Sequence, residues 1–465
     1  MTGVQTCALP ISELYDIYVF IGPVFWLCMI TISLMPLYRW VLPKIHSKLV
    51  HELFHILFGL FLTWILYRTD FLISLGVIVF TYFILDKNPY VVAFVAMGIN
   101  LGVNFYQKMK DSGAWDFEIT AIVMILFNRI VETSFNLYYG RMIKEGKTIK
   151  RAFNKKFALL KKPTFLEWCA YCLTPMGGNS GPIFEFKVFE YILTVGERPK
   201  ISPDSKSRKQ ANLRFFTGIF WSIFNIIFIN KVQISFYSQP WFTRQNVFVR
   251  FLLSMACTIG QICRYFPAWH PVEAGIYETG VCETALVDDF YDCSNMGLIQ
   301  LLTTPSVGSW LQTWNHTSHI FFKRYLFYPL LDGGYGYSFA HHFVFVVSAL
   351  WHGFEPVYLM CLPELIASSV ADQLINKYFP SSSRGLLGNI FYHFFKATSM
   401  LNSISTFWYY TVDAFFFVRK SNGFIGTIMT FGVFIFMIIY SHIVKAPQSK
   451  PKEEEDKTPI KEGEK

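Results

Sequence analysis

A chain of 465 residues that is 53% hydrophobic and only 16% charged is too apolar for an ordinary soluble domain and reads as an integral membrane protein. The net charge of +9 would in a soluble protein point to an anionic partner. Here the Lys and Arg gather in loops between apolar segments, which membrane topology explains without nucleic acid.

Residues 1–12 do not match the rest of the chain; they resemble a translated sequencing adaptor and are set aside as an artefact. Residues 17–38 carry no charge and are long enough to span, so an uncleaved signal anchor is expected there. Further apolar segments lie at 53–67, 71–85, 89–106 and 119–127 with its continuation. Several are shorter than a full crossing and are separated by little more than Arg68-Thr69-Asp70, which predicts tilted or broken helices packed in protein.

The basic residues from Arg141 to Lys162 face a single acid, Glu145, a positive-inside signal that puts this loop in the cytosol. A second basic loop, 198–214, falls on the same side. Between them, Pro175-Met176-Gly177-Gly178-Asn179-Ser180-Gly181-Pro182 breaks any helix and must be buried in protein or line a cavity. No Lys-Ser/Thr comes after the glycines, so a phosphate-cradling loop is not the reading.

After apolar segments at 215–230 and 251–262, the loop 267–295 carries Glu273, Glu278, Glu283, Asp288, Asp289 and Asp292 with no Lys or Arg. It is expected as a solvated loop on the non-cytosolic side. Cys282 and Cys293 share it and can pair if that side is an oxidising lumen. The other cysteines are scattered, and Cys169-x-x-Cys172 has no second pair at zinc-finger spacing, so no metal site is expected. Two closing apolar stretches, 390–418 and 424–444, precede a disordered, charged cytosolic tail at 446–465. The whole is an all-α polytopic membrane bundle of roughly ten spanning or re-entrant helices, at about 20 residues per crossing.

From Thr304 the spacing predicts a helix with Leu311, Asn315, His319, Phe322 and Leu326 on one face. An amide there needs partners for its oxygen and its nitrogen, so Asn315 either satisfies a neighbouring helix or points at a ligand. Asn315-His316-Thr317 also matches the glycosylation sequon, a reading set aside because the triplet opens an amphipathic stretch. A second helix begins near Phe339, with His341, Phe345, Ser348 and His352 on one face. The two histidines are about 16 Å apart at 1.5 Å per residue, so one of them at most serves a given reaction centre. Gly353 and Pro356 allow a break just past His352, and an ionisable side chain closing the apolar run 342–350 marks a functional site.

Trp314-Asn315-His316-Thr317-Ser318, followed by Leu350-Trp351-His352-Gly353-Phe354-Glu355-Pro356-Val357-Tyr358, resembles the paired asparagine and histidine motifs of the membrane-bound O-acyltransferases, and most of all their lysophospholipid acyltransferase branch. Val357 stands where that branch commonly carries glycine. The resemblance implies that residues 13–445 form one such domain around a transmembrane reaction tunnel in a multi-pass protein of the endoplasmic reticulum membrane. It implies acyl-CoA as co-substrate, no other cofactor, and a lysophospholipid acceptor. His352 and Asn315 are then the catalytic pair, and Trp314, Trp351, His319, Tyr358, Lys323 and Arg324 line the substrates. Lys323 and Arg324 either meet CoA phosphates or snorkel to headgroups. Another acceptor (diacylglycerol, sterol or a secreted protein) is the alternative within this chemistry; a transporter or channel is the alternative outside it, because buried His and Asn also line transport paths.

Overall fold

The computed structural model describes residues 27–110, 118–178, 181–228, 234–295, 297–409 and 411–445. The adaptor-like stretch, residues 17–26 of the expected anchor and the tail lie outside these residues. Among the described residues every regular element is a helix, and six helical stretches are long and apolar enough to cross a membrane. The expected all-helical membrane bundle is what the chain forms.

The first four long helices are α1 (Lys48–Tyr67), α2 (Phe71–Ile84), α3 (Pro89–Lys110) and α4 (Thr120–Lys144). Ser47 caps α1 by accepting from the Val50 amide, and α1 ends where Arg68 turns to φ 50°. Leu53, Leu57, Phe61 and Trp64 lie exposed along one face of α1, while His51, His55, Gly59, Leu62 and Leu66 are buried on the other. A soluble helix would turn its apolar stripe inward. Here the outward stripe faces lipid, and the polar and small residues pack against protein.

Ion pairs at the helix ends fix the directions. Asp70, at the start of α2, pairs with Lys110 at the end of α3 at 2.6 Å. Asp86, just past α2, pairs with Lys162 at 3.3 Å, and its carbonyl accepts from Arg141 near the end of α4. Thus α2, α3 and α4 alternate in direction, and the loops after α2 and α4 share the side of the first basic loop. α4 is buried on all sides, and Arg129, Glu132 and Asn136 are hidden within it.

The segment 175–182 comes after α5 (Phe165–Leu173) and leads into α6 (Phe186–Leu193); Met176 and the two glycines after it are buried. Gly177 has φ 81°, and a Cβ there would sit 2.1 Å from the Pro182 carbonyl oxygen, so the loop folds back on itself too tightly for a side chain.

α7 (Lys206–Phe228) shows lipid a stripe of Leu213, Phe216, Phe220, Ile223 and Ile227. Its other face, with Gly218 against Pro271, packs on α9 (Phe266–Glu278), which α8 (Val247–Ile262) precedes. The end of α9 lies beside the start of α7. Arg208 pairs with Glu278 at 2.8 Å, and the Ser207 amide donates to Glu283 at 2.6 Å.

This corrects the topology expected for the acidic loop. Asp288 pairs with Lys156 of the first basic loop at 2.6 Å, so the acids share the side of both basic loops. α7 crosses away, and α8 with α9 brings the chain back. The excess of acid is local neutralisation of basic neighbours, which is why acidic residues report topology poorly. Cys282 and Cys293 accordingly lie together as free thiols, with a hydrogen bond between them.

The chain then forms α10 (Val307–Thr313), α11 (His316–Phe322), α12 (Tyr337–Trp351), α13 (Pro356–Tyr378), α14 (Gly385–Ser405), α15 (Val412–Ser421) and α16 (Ile425–Ile443). The stretch 390–418 is not one helix, since a 3₁₀ turn, Thr406–Trp408, lies between α14 and α15.

Candidate active site

The helix expected to run unbroken from Thr304 breaks at Asn315. α10 closes with the Trp314 amide donating to the Trp310 carbonyl at 2.8 Å, and Asn315 takes the left-handed conformation, φ 46° and ψ 54°. Asparagine is among the few non-glycine residues that tolerate this, so one residue that fits a helical face by spacing is also suited to interrupt it. Asn315 therefore stands at a corner. Its carbonyl accepts the His319 amide to start α11, and its side-chain amide makes no hydrogen bond to any described residue.

The neighbours of Asn315 are anchored. The Trp314 ring lies 5.6 Å from that of Tyr265 and 6.4 Å from that of Trp269. His316 donates from Nδ1 to the Gln312 carbonyl at 2.9 Å and reaches Asp292 from Nε2 at 3.3 Å. Thr317 is buried and its hydroxyl donates to Asn295 at 2.8 Å, so the sequon threonine is not presented to an enzyme that would read it.

α12 runs alongside α3. Asn100 donates to the Trp351 carbonyl at 2.9 Å, Gly353 abuts Asn104, and Lys108 pairs with Glu355 at 2.9 Å. At 1.5 Å per residue Asn100 is about 17 Å along α3 from Pro89, with about 15 Å remaining to Lys110. The Trp351-His352 step is thus near the middle of a crossing helix. The break expected after His352 is present. Gly353 has φ 120°, where a Cβ would meet Asn104 Oδ1 at 2.4 Å, and Pro356 opens α13.

The His352 ring is partly buried among aromatic rings, with centroids at 4.9 Å for Trp351, 5.0 Å for Phe407 and 5.6 Å for Tyr358. Tyr358 and Phe407 stack on each other at 5.7 Å. No hydrogen bond joins either ring nitrogen to a described residue. His341 belongs elsewhere, stacked on Tyr337 at 5.8 Å and edge-on to Phe345 at 4.9 Å.

Two contacts bring the motifs together. Phe322, at the end of α11, packs edge-on against Trp351 at 5.5 Å, while Trp351 donates from its indole to the Met124 carbonyl of α4 at 2.9 Å. Trp314 and Phe407 pack against one apolar cluster that includes Trp269, Trp310, Cys361 and Trp408. Phe407 is not legible as a site residue in the sequence, because it lies 55 positions beyond His352 in an apolar run that reads as span.

The basic pair divides. Arg324 is held by Glu185 at 3.1 Å and Asp288 at 2.9 Å, whereas Lys323 is exposed. Burial alone would push the Arg324 guanidinium down, but the Glu185, Tyr325 and Asp288 charges outweigh it and hold it above its usual value. Beside Arg324 is a cavity of ≈ 30 Å³, room for water and not for an acyl chain. Glu132, Glu185 and Tyr325 line it; Tyr325 donates to Glu185 at 2.5 Å, and Asn136 donates to the same carboxylate at 3.0 Å. These acids escape a reading of the sequence because their partners are far away in the chain. Among the described residues no group of three His, Cys, Asp or Glu is gathered to hold a metal.

With the geometry in place, comparison with known proteins gives the reaction class. A family model described as the membrane-bound O-acyltransferase family matches residues 18–398. The chain is 22% identical over 381 residues to Lysophospholipid acyltransferase 1 of Arabidopsis thaliana, covering 77% of this chain and 80% of that protein. It is 24% identical over 360 residues to Lysophospholipid acyltransferase 5 of Drosophila melanogaster, covering 74% and 69%. The chain belongs to the membrane-bound O-acyltransferase family and is a multi-pass O-acyltransferase of a membrane.

Proposed function

We propose that this enzyme transfers a fatty acyl group from acyl-CoA to the free hydroxyl of a lysophospholipid, in the endoplasmic reticulum membrane, with both substrates meeting in a tunnel at His352 and Asn315. The observation that carries the reading is the state of His352: an imidazole near mid-helix depth, surrounded by edge-on and tilted aromatic rings, with neither nitrogen spent on a described protein group. In an apolar interior polar groups are ordinarily paired, so an unspent imidazole and an unspent amide, whose neighbours Phe407 and Trp314 pack on one apolar cluster, are suited to a substrate.

The chemistry comes from those two groups. As the acceptor hydroxyl approaches the thioester, His352 takes its proton and the oxygen bonds to the carbonyl carbon. The tetrahedral adduct then expels the CoA sulfur, which takes the proton back from the imidazolium, leaving an ester and free CoA. General-base action of this kind contributes about 10² to 10⁴ in rate. Asn315 orients the hydroxyl or donates to the developing oxyanion. Trp314, Trp351, Tyr358 and His319 line the substrates, and Lys323, exposed next to Arg324, serves the CoA phosphates. The names of the relatives, both lysophospholipid acyltransferases, support the acceptor class.

The test is acyl transfer by purified protein from labelled oleoyl-CoA to a panel of lysophospholipids, diacylglycerol and sterol. Ester should form on a lysophospholipid and be lost in His352→Ala at unchanged melting temperature. Retained transfer in that variant would overturn the role of His352, and exclusive labelling of diacylglycerol or sterol would overturn the acceptor.

A further inference from the structure

Asparagine is a preferred residue at a helix N-terminus because its side-chain oxygen accepts an amide of the first turn from an extended backbone. Asn315 precedes α11 and does not do this. Its backbone is left-handed, and its side chain caps nothing. The first-turn amide that such a cap would serve belongs to Thr317, and it is not orphaned. It donates at 3.3 Å to Oδ1 of Asn295, which also accepts the Thr317 hydroxyl at 2.8 Å. A residue from another segment, 20 positions away, does the work that Asn315 leaves undone.

Asn295 is itself held. It is 3% exposed, and its own amide donates to Glu273 Oε1 at 2.7 Å. Glu273, on α9, is fully buried and pairs with Arg214 of α7 at 3.0 Å. Thr317 also accepts the Ile183 amide at 2.8 Å, which ties the segment between α5 and α6 to the same point. Rigid helices α7 and α9 thus fix one oxygen, and that oxygen fixes the first turn of α11.

We infer that Asn295 is a positioning residue for acyl transfer: by capping α11 from outside, it holds the corner at which Asn315 turns and leaves the Asn315 amide free for the reacting groups. This rests on the role proposed above for Asn315. The Asn295 side-chain nitrogen is buried with no hydrogen-bond partner, so the part of the side chain that matters is its oxygen, and an isosteric aspartic acid, kept protonated by burial beside Glu273, retains it.

The experiment is steady-state transfer from oleoyl-CoA to the best acceptor of the panel, by the full chain purified in detergent, with melting temperatures alongside. A misplacement of about 1 Å costs about 10² in rate. Asn295→Ala should therefore lower kcat by about that factor while leaving both KM values within about twofold, and Asn295→Asp should restore most of it. Thr317→Val, which removes the hydroxyl half of the contact, should give a smaller loss of the same kind and stands in if Asn295→Ala does not fold. In an Asn315→Ala background, Asn295→Ala should add no further loss, because both changes act on one group.

Wild-type kcat in folded Asn295→Ala, a folded Asn295→Asp as impaired as the alanine variant, or a full additional loss in the Asn315→Ala background would overturn the inference while leaving the role of Asn315 intact. Full activity in Asn315→Ala alone would instead overturn the role of Asn315.

Discussion

Arg419 and His352 both lie in the interior of the bundle, and the chain treats them in opposite ways. Arg419, on α15, is 1% exposed, and both terminal nitrogens of its guanidinium are engaged. It pairs with Glu364 of α13 at 3.1 Å and donates to Ser405 and Thr406 at 3.1 and 3.2 Å, and to the Asn402 carbonyl at 2.6 Å. Glu364 in turn accepts from Asn402 at 3.0 Å and Thr427 at 2.6 Å. His352 has aromatic rings and no such bonds. A charge buried without partners would be prohibitive, so Arg419 is satisfied several times over. A neutral imidazole costs far less to leave unpaired, and the general-base role proposed for His352 requires a nitrogen that is not committed to protein. The contrast between these two groups is that Arg419 joins helices through its bonds, while the nitrogens of His352 are left for the role proposed for them.

The largest effect expected from breaking that contrast is at the unspent groups. His352→Ala should lower kcat by about 10² to 10⁴. Adding Asn315→Ala should cost little more than the single change, since groups acting as a unit are strongly non-additive. Steady-state transfer by the single and double variants checks this, and fully multiplicative losses would show that the two act separately.

Arg419→Ala should destabilise by about 3–5 kcal/mol by leaving Glu364 buried and unpaired, with the KM of surviving folded protein unchanged. Replacing the pair together, as Arg419→Met with Glu364→Leu, should recover much of that loss. Melting in detergent distinguishes the two, and a double variant as unstable as the single would show that the network does more than neutralise charge.

Gly353→Ala tests position without removing any functional group. Its φ of 120° and the 2.4 Å approach to Asn104 make alanine strained, at about 1–3 kcal/mol. The expected result is a lower melting temperature together with reduced kcat, because the same turn aims His352. Reduced stability at wild-type kcat would separate the turn from the site.

The smallest effect is a pH dependence at His316, whose nitrogens, unlike those of His352, are spent. Burial pushes its pKa down, but Asp292 and the Gln312 carbonyl outweigh burial and raise it above the ordinary 6.5. Burial pushes Asp292 up, and hydrogen bonds from His316 and the Asp289 amide, with the Arg324 charge, hold it below the ordinary 3.8. A raised histidine contributes stability that is complete below 6.5 and lost as pH rises through its folded value. A lowered aspartate contributes stability present above 3.8 and lost as pH falls through its folded value. Melting temperature should therefore drop modestly as pH rises above about 6.5, and His316→Gln should flatten that drop.

The loop 267–295 and the corner at Asn315 show where reading the chain from its sequence stops. Hydropathy finds long lipid-facing helices such as α7, since a stripe like Leu213 to Ile227 needs no partner elsewhere in the chain to be apolar, but it runs 390–418 together across a turn. The acidic loop falls on the wrong side when its charge is judged alone, because Asp288 answers Lys156, 132 positions earlier. Asn315 falls on a helix face because spacing is blind to a single left-handed residue.

The sequence by itself determined the helical class, the membrane setting, and the two motifs with His352 and Asn315 at their centres. Each rests on local pattern: a run of apolar residues, a rare polar residue within it, a glycine and a proline just beyond. Tertiary structure alone decided what those residues touch. It brought Phe407 and Tyr358 to the imidazole and Phe322 to Trp351. It turned Arg324 inward to Glu185 and Asp288, and it set Asn295 against Thr317. Pairing in a low-dielectric interior is settled by which groups the packed helices bring within about 3 Å of one another, and separation along the chain carries no record of that.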